Sequence, residues 1–561
     1  MAQIIDCRYS VPPVTIPQTG NLYSWVVSDH AGIDEREVAL YRLDGKVTNR
    51  RQVQTMAGEI AYFLRHILKL NAGDCVGIIS PNSTLYSTLV LGIVRAGCVC
   101  ATLNPIYSPE ELEHPIVDSD LKVIFTHPSI LGNVRKAWSM SKRSFKLPNG
   151  ENPIWLVDDA DWVLTQSTGE RDFRSVLTSN ELPVVSVNSE EDLAFIVYSS
   201  GTSGKPKGVM LTHKNMIFGT DTFARVRFGE FGPGHTALAV LPFFHIFGLN
   251  FFNLAAFMTG TRIVVLPRFD IDIFCAAVQH FRASMAIVVP PILLALARHP
   301  AVSKYDLSTL KVGLCGAAPL GPELCEEVQK RLPGFVISQG YGLSETAPVA
   351  LRATTDQHRK NLGTAGEVVP HIQIRLVNHD GVDVAHKQGS EGTPGEIWIR
   401  GPAVMKGYLN NELATKECIT EDGWFKSGDI AIIKNGLFFI VDRMKELIKY
   451  KGFQVSPAEL EDLLLSHPKI QDCAVVGVYV KEEATELPRA YVTPKPSALD
   501  LKSSSQTDQD RLCQEILDWF NPKVANHKKL RGGVVFVAEV PKSASGKILR
   551  RVLRDIANKN E

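Results

Sequence analysis

The residues best suited to chemistry lie in one run, Tyr198-Ser199-Ser200-Gly201-Thr202-Ser203-Gly204-Lys205-Pro206-Lys207-Gly208, which follows the strand-like Phe195–Tyr198. Glycines let backbone N–H groups approach phosphate oxygens, hydroxyls donate further hydrogen bonds, and lysines balance charge. The run therefore reads as a polyphosphate cradle, although its composition alone would also suit a solvated surface loop. It is not a Walker A loop: Ser199 stands where that motif needs its first glycine, and Pro206 where a Ser or Thr would bind magnesium. Three other titratable residues follow small or polar neighbours. Lys547 follows Ser543-Ala544-Ser545-Gly546, Asp429 follows Ser427-Gly428, and Glu345 follows Ser344. Each has a plain alternative: a solvated lysine, an Asx-turn and a helix-cap acid. A mobile turn can nevertheless carry a point charge such as Lys547 deep into a cleft.

These residues must be positioned by a large scaffold. A length of 561 residues suggests roughly three or four domains or subdomains. Apolar residues are 45% and charged residues 21%, the balance of a soluble globular protein. Lys plus Arg equals Asp plus Glu at 60 each, which argues against general nucleic-acid or anionic-membrane binding. Ten cysteines are too sparse for a disulfide scaffold, and Cys98 and Cys100 lack both redox and zinc spacing. The uncharged stretch Ala237–Met258 is long enough to cross a bilayer, but Pro242, His245, Asn250 and Asn253 interrupt it, so a buried helix lining a site is expected. Residues 1–20 hold no continuous apolar core, and the chain ends without Ser-Lys-Leu, so a cytoplasmic location is expected.

Alternating apolar segments give the fold class as α/β. Strands are expected at Cys75–Ser80, Leu121–Thr126, Arg262–Leu266, Met285–Val289 and Leu310–Cys315, with a helix at Leu85–Gly97. They form a large N-terminal domain of stacked βαβ layers, 1–441, in which Ile372–Ile399 reads as a smaller β subdomain. A small α+β unit, 442–561, follows. Its first helix starts at Ser456-Pro457-Ala458-Glu459, strands are expected at Cys473–Val480, Arg489–Thr493 and Gly533–Val540, and Gln509–Phe520 is a helix. A compact tail attached at Asp442-Arg443 could move against the body.

The cradle, with Val209-Met210-Leu211-Thr212-His213, resembles the signature of the acyl-adenylate-forming superfamily. Further superfamily motifs follow in order: Gln339-Gly340-Tyr341-Gly342-Leu343-Ser344-Glu345, Gly395-Glu396-Ile397, Gly407-Tyr408-Leu409, Trp424–Asp429, Asp442–Gly452 and Pro541–Lys547. Leu241–Phe247, Gly316–Gly321 and Glu446–Val455 bring the likeness closest to 4-coumarate–CoA ligases. The resemblance implies an ATP-dependent carboxylate–CoA ligase that works through acyl-AMP, with a mobile C-terminal lid, and with ATP, magnesium and CoA as participants.

By resemblance, Ser199, Ser200, Gly201, Thr202, Ser203 and Lys207 hold the triphosphate, and Thr202 and Glu345 are the magnesium partners. Ala317, Gln339, Gly340, Tyr341, Ser344, Asp429 and Arg443 surround the nucleotide, with Lys445, Lys449 and Gln454 also on the adenylate side. Lys547 is the adenylation catalyst, and His245 borders the acyl pocket and the thiol path. Arg268, Lys451 and Gly452 are the CoA contacts. Phe247, Phe251, Leu314, Gly316, Pro348 and Val349 form the acyl pocket. Phe247, Phe251, Leu314 and Cys315 replace the hydroxyls and ammonium found at these places in plant 4-coumarate ligases. The expected substrate is therefore a more apolar acid, cinnamate-like, benzoate-like or medium-chain fatty. The alternative acceptor is a carrier protein in trans, since no carrier domain is fused to this chain.

Overall fold

The computed structural model describes residues 4–8, 11, 13–28, 32–141, 147, 152–158, 172–199, 206–225, 231–318, 320–384, 392–444, 446–451, 453–480, 485–501, 503–543 and 546–559. The apolar segments of the first 370 residues pair into two large sheets. One has nine strands. Its parallel centre runs through Val336–Gly342, Val312–Cys315, Met285–Val288, Thr236–Ala239, Arg262–Val265 and Val38–Tyr41, and it ends in antiparallel strands at both edges. The second has seven strands, with Val99–Thr102, Cys75–Ile79 and Val123–Thr126 parallel at its centre. Parallel strands are covered by helices on both faces, so they read as continuous apolar runs; Cys75–Ile79 is buried along its whole length. The expected α/β layering is therefore present.

A third, antiparallel sheet of five strands includes Gln373–Val377, Gly395–Arg400, Phe425–Lys434 and Leu437–Arg443, and is the β subdomain. Its strand Gly395–Arg400 alternates buried and half-buried residues, as a one-sided antiparallel strand should. After Arg443 the chain builds separate apolar clusters. Ile448, Val455, Leu460, Leu464, Ile470 and Phe520 centre one, and Val476, Tyr491 and Leu553 another. Ser456 caps the helix Pro457–Leu465 by accepting from Glu459 N at 3.3 Å. The long antiparallel pair Ile470–Val480 and Thr485–Pro494 takes Val534–Phe536 as a parallel third strand, shorter than the expected Gly533–Val540.

One expectation is corrected. The stretch 237–258 is not a single helix: Thr236–Ala239 is a central strand, and helix begins only at Ile246. The segment then widens into a π turn at Phe251–Ala255 before its last turn, Ala256–Thr259. Its buried amides donate inside the protein: Asn250 to Ala347 O at 3.0 Å and Asn253 to Gly248 O at 3.3 Å. Among the described residues no helix is long and apolar enough to cross a membrane.

Candidate active site

The chemistry-bearing residues meet in a cavity of about 880 Å³ between the large sheets, the β subdomain and the C-terminal unit. Strand Leu193–Ser199 turns back into Lys207–Thr212 with Ser199 opposite Lys207, and both residues line the cavity. Ser200, Gly201, Thr202 and Ser203, between them, lie outside the described residues. Both arms of this hairpin are braced. Tyr198 Oη donates to Asp118 at 2.9 Å, His114 Nε2 meets Pro206 O at 3.1 Å, and Gly407–Tyr408 pairs against Met210 and Val209.

That pairing places Tyr408 between two of the expected phosphate-site residues. Its hydroxyl donates to Glu345 Oε1 at 2.8 Å, and the Lys207 ammonium lies 4.7 Å from its ring centroid. Burial, with Glu345 beside it, pushes the Tyr408 hydroxyl far above the usual phenol range, so it stays a donor. Glu345 itself is buried in the turn Ser344–Thr346, whose last hydroxyl bonds to Pro348 O at 2.8 Å.

Tyr341 and Asp429 come from different sheets and are joined directly, Tyr341 Oη donating to Asp429 Oδ2 at 2.8 Å. Asp429 is 5% exposed; burial raises its carboxyl, against the opposing pull of the Arg443 guanidinium 3.2 Å away. The backbone turn before it needs Gly428, which has φ +72° and donates its N–H to Glu396 at 2.9 Å. Gly340, Ala317 and Ser344 also line the cavity, whereas Gln339 is buried behind it and donates to Leu320 O at 3.2 Å.

Lys547 enters from the C-terminal unit. Its turn is closed by Ser543, whose N–H donates to Lys547 O at 2.8 Å and whose hydroxyl accepts from Lys547 N at 3.1 Å. Gly546 adopts φ +79°, and a side chain there would come within 3.1 Å of Val289 and 3.4 Å of Pro291, so the turn is seated on the body. Burial, then the charge of Arg443, brings the Lys547 ammonium down to about 8, against the opposing pull of Glu446, Asp429 and Glu345. Across the cavity, His245 caps the helix Ile246–Asn250 by accepting from Phe247 N at 3.4 Å. Burial and the nearby Lys547 push it down to about 4, so it is neutral at ordinary pH and its proton sits on Nε2.

Phe247, Leu314, Gly316, Pro348 and Val349, expected at an acyl pocket, line the same cavity. Gly316 is needed for size: a side chain there would meet the Phe247 ring at 3.1 Å. Phe251 is not brought to it. That ring is 1% exposed and packs 5.2 Å from Phe231 and 5.1 Å from Phe252. Sequence reasoning missed Arg352, which is buried and lines the cavity, and the part played by Tyr408. The signal for Arg352 was a single charge ending the apolar run Val349-Ala350-Leu351.

Three of the remaining expected contacts are not in the cavity. Arg268, Lys449 and Lys451 are exposed, the last two on the hairpin Ile448–Tyr450 and Phe453–Val455. Lys445 and Gly452 lie outside the described residues. Gln454 pairs with Lys449 in that hairpin, and its side chain lies outside what is described.

Residues 29–409 match the model of the AMP-binding enzyme family, and residues 459–547 match that of the AMP-binding enzyme C-terminal domain. Probable 4-coumarate–CoA ligase 3 of Dictyostelium discoideum is 38% identical over 503 residues, 88% of this chain and 87% of its own length. The 4-coumarate–CoA ligase 1 of Arabidopsis thaliana is 35% identical over 569 residues, 98% of this chain and 94% of its own. The solved structure of the anthranilate CoA ligase AuaEII in complex with anthranoyl-AMP has the same fold, with TM-score 0.82 over 96% of this chain and 97% of its own, at 23% identity. The chain belongs to the AMP-binding enzyme family, among its 4-coumarate–CoA ligase-like acyl-CoA synthetases. It is an enzyme of ATP-dependent carboxylate–CoA ligation.

Proposed function

We propose that the enzyme joins an apolar aromatic acid, cinnamate- or benzoate-like, or a medium-chain fatty acid, to CoA through an acyl-AMP intermediate. In the first step a carboxylate oxygen attacks the α-phosphorus of ATP, the bond to the β-phosphate oxygen breaks and pyrophosphate leaves. In the second the CoA sulfur attacks the acyl carbon, the carbon–oxygen bond to AMP breaks, and the thiol proton goes to solvent. The first step brings an anion to a polyanion, so positioning and charge neutralisation carry it. The observation that carries the reading is the convergence of Lys547, Arg443, Lys207 and Glu345 on the cavity that Phe247, Leu314 and Val349 also line.

Lys547 bridges the carboxylate and the α-phosphate; Tyr341 stacks on adenine; Asp429 accepts both ribose hydroxyls and Arg443 holds ribose and phosphate. Ser199 to Ser203 and Lys207 hold the β- and γ-phosphates. A magnesium ion fits this donor set, since Glu345 supplies a buried hard carboxylate steadied by Tyr408. With Thr202 as its other ligand, the bound ion would neutralise phosphate charge. Glu345, Tyr408 and Lys207 meanwhile orient the triphosphate and keep its charge compensated.

For the second step the unit 442–561 turns about Asp442-Arg443. Asp442 suits a pivot because its buried carboxylate accepts from Ser456 Oγ at 2.7 Å and Ala458 N at 3.2 Å, tying it to the first helix of the moving unit. Lys547 then leaves and the hairpin bearing Lys449, Lys451, Gly452 and Gln454 enters, while Arg268 meets CoA. His245, neutral, lines the thiol path without adding charge.

The test is mass spectrometry of products from cinnamates, benzoates and short- to long-chain fatty acids with ATP and magnesium, with and without CoA. An acyl-CoA of an apolar acid is expected. Acyl-AMP that accumulates whether or not CoA is present would point instead to a carrier protein as acceptor.

A further inference from the structure

The turn that carries Lys547 rests on one end of a body helix, Pro290–Arg298, and the other end of that helix holds the C-terminal unit by hydrogen bonds. At the first end, a side chain on Gly546 would meet Pro291 and the preceding Val289. At the last residue, Arg298 Nη2 donates to Leu465 O at 2.9 Å and Nη1 to Ile470 O at 3.4 Å. Leu465 ends the helix Pro457–Leu465, so its carbonyl has no partner within that helix, and a cation is favoured at the negative end of the helix dipole. The guanidinium is aimed from behind. Its Nε and Nη2 donate to the two oxygens of Glu327, 2.8 Å each, on the next body helix, Pro322–Arg331. Arg298, with Lys495 of the C-terminal unit adding to it, holds the Glu327 carboxyl below the usual carboxylate range. The seam is close beyond the arginine as well: a side chain on Gly321 would overlap the Asp462 carboxylate of the C-terminal unit.

We propose that Arg298 is a positioning residue for the first step: its bonds to Leu465 O and Ile470 O hold the C-terminal unit in the orientation that puts Lys547 in the cavity, and they break when the unit turns for the second. The inference rests on the two-step ligase reading above. A guanidinium has five N–H donors in a rigid plane, so the edge that grips Glu327 leaves donors free to reach two carbonyls across the seam. An ammonium, a point charge on a flexible stem, cannot match that fork. Pro291 and Arg298 stand near opposite ends of a nine-residue helix, about 10 Å apart along its axis. Contacts so separated fix the tilt of the unit as well as its place, and tilt decides whether Lys547 reaches the α-phosphate.

The test measures the two half-reactions separately in the full-length enzyme at one pH. The first is pyrophosphate release in a single turnover with ATP, magnesium and the acid the wild type uses best, without CoA. The second is acyl-CoA formation from supplied acyl-AMP and CoA. Arg298→Met should slow the first by about 10- to 100-fold, the worth of hydrogen bonds from a charged group, and leave the second unchanged or faster. Arg298→Lys, which keeps a charge on Glu327, should slow the first by less. Arg298→Met leaves the Glu327 carboxylate without its cation, so the double variant Arg298→Met with Glu327→Met is measured beside it. It should show the same split, with thermal unfolding close to that of the wild type. An arginine that only supports the fold would lower both half-reactions together. Equal loss in both, or a first half-reaction that the double variant leaves unchanged, overturns the inference. Pyrophosphate release by the wild type from no acid at all would instead overturn the ligase reading itself.

Discussion

The ammonium of Lys547 gives the most direct handle on the reaction. Between the ordinary lysine value of 10.5 and the value of about 8 in the cavity lies about 3 kcal/mol favouring the neutral amine. The chief cause is burial, followed by Arg443. The sign follows from which form works. A lysine whose value is lowered on docking destabilises the docked unit while it stays charged, fully below pH 8 and progressively less between about 8 and 10.5. Adenylation, however, needs the charged form to bridge two anions. The kcat/KM for ATP in acyl-AMP formation should therefore fall above pH 8, roughly tenfold per pH unit, because this ratio reports the free enzyme. Pyrophosphate release between pH 6 and 10 measures it. Lys547→Arg, always charged, should lose the alkaline fall. Lys547→Ala should lose acyl-AMP formation by about a hundred- to a thousandfold, while thioester formation from supplied acyl-AMP is spared. A flat profile to pH 10, or a fall that persists in Lys547→Arg, would refute the reasoning, as would equal loss of both half-reactions in Lys547→Ala.

Three other substitutions separate stability from specificity. Arg550 lies buried between Glu446 and Glu461, 2.6 Å from each, so Arg550→Met should cost about 3–5 kcal/mol in thermal unfolding by leaving two carboxylates without their cation. Adding Glu446→Gln and Glu461→Gln should recover part of that loss. Phe247→Tyr puts a hydroxyl into the cavity wall and should shift the enzyme's preference, measured as the ratio of kcat/KM values, towards para-hydroxylated over unsubstituted cinnamate. Phe251→Ser should instead lower stability by about 3 kcal/mol or more and leave the ratio unchanged, since that ring is core.

The layered α/β body was legible because buried parallel strands leave continuous apolar runs, and Cys75–Ile79, Met285–Val288 and Val312–Cys315 all fall where such runs lie. The stretch 237–258 was misread for the same reason. A buried strand followed by a buried helix is apolar throughout, and periodicity cannot divide the two. The site was legible as motifs, and the structure gathers Ser199, Lys207, Tyr341, Glu345, Arg443 and Lys547 around one cavity. What the motifs could not supply was side-chain direction. Nothing in the sequence says that the helix widens at Phe251 and turns that ring to Phe231. Arg352 was overlooked because a charge that ends a strand usually meets water, and only the fold of Phe231 against it shows otherwise.

The lysines themselves argue for two orientations of the C-terminal unit. Lys547 is in the cavity, on a turn seated against Val289 and Pro291. Lys449 and Lys451 are exposed on a hairpin of the same unit, held to its own strand by Lys449 N to Glu486 at 2.8 Å and Lys451 N to Thr485 Oγ1 at 2.7 Å. These links fix the hairpin relative to the turn, because both belong to one packed unit. Moving Lys449 and Lys451 to the cavity therefore requires moving Lys547 out. The docked arrangement suits an anion approaching a phosphate. It leaves in place a cation that the attack of a thiol on a carbonyl does not use, beside a His245 that burial, and then that cation, already hold neutral. If the hairpin serves the second step, as proposed, a rigid unit can present its two lysine sets only in turn.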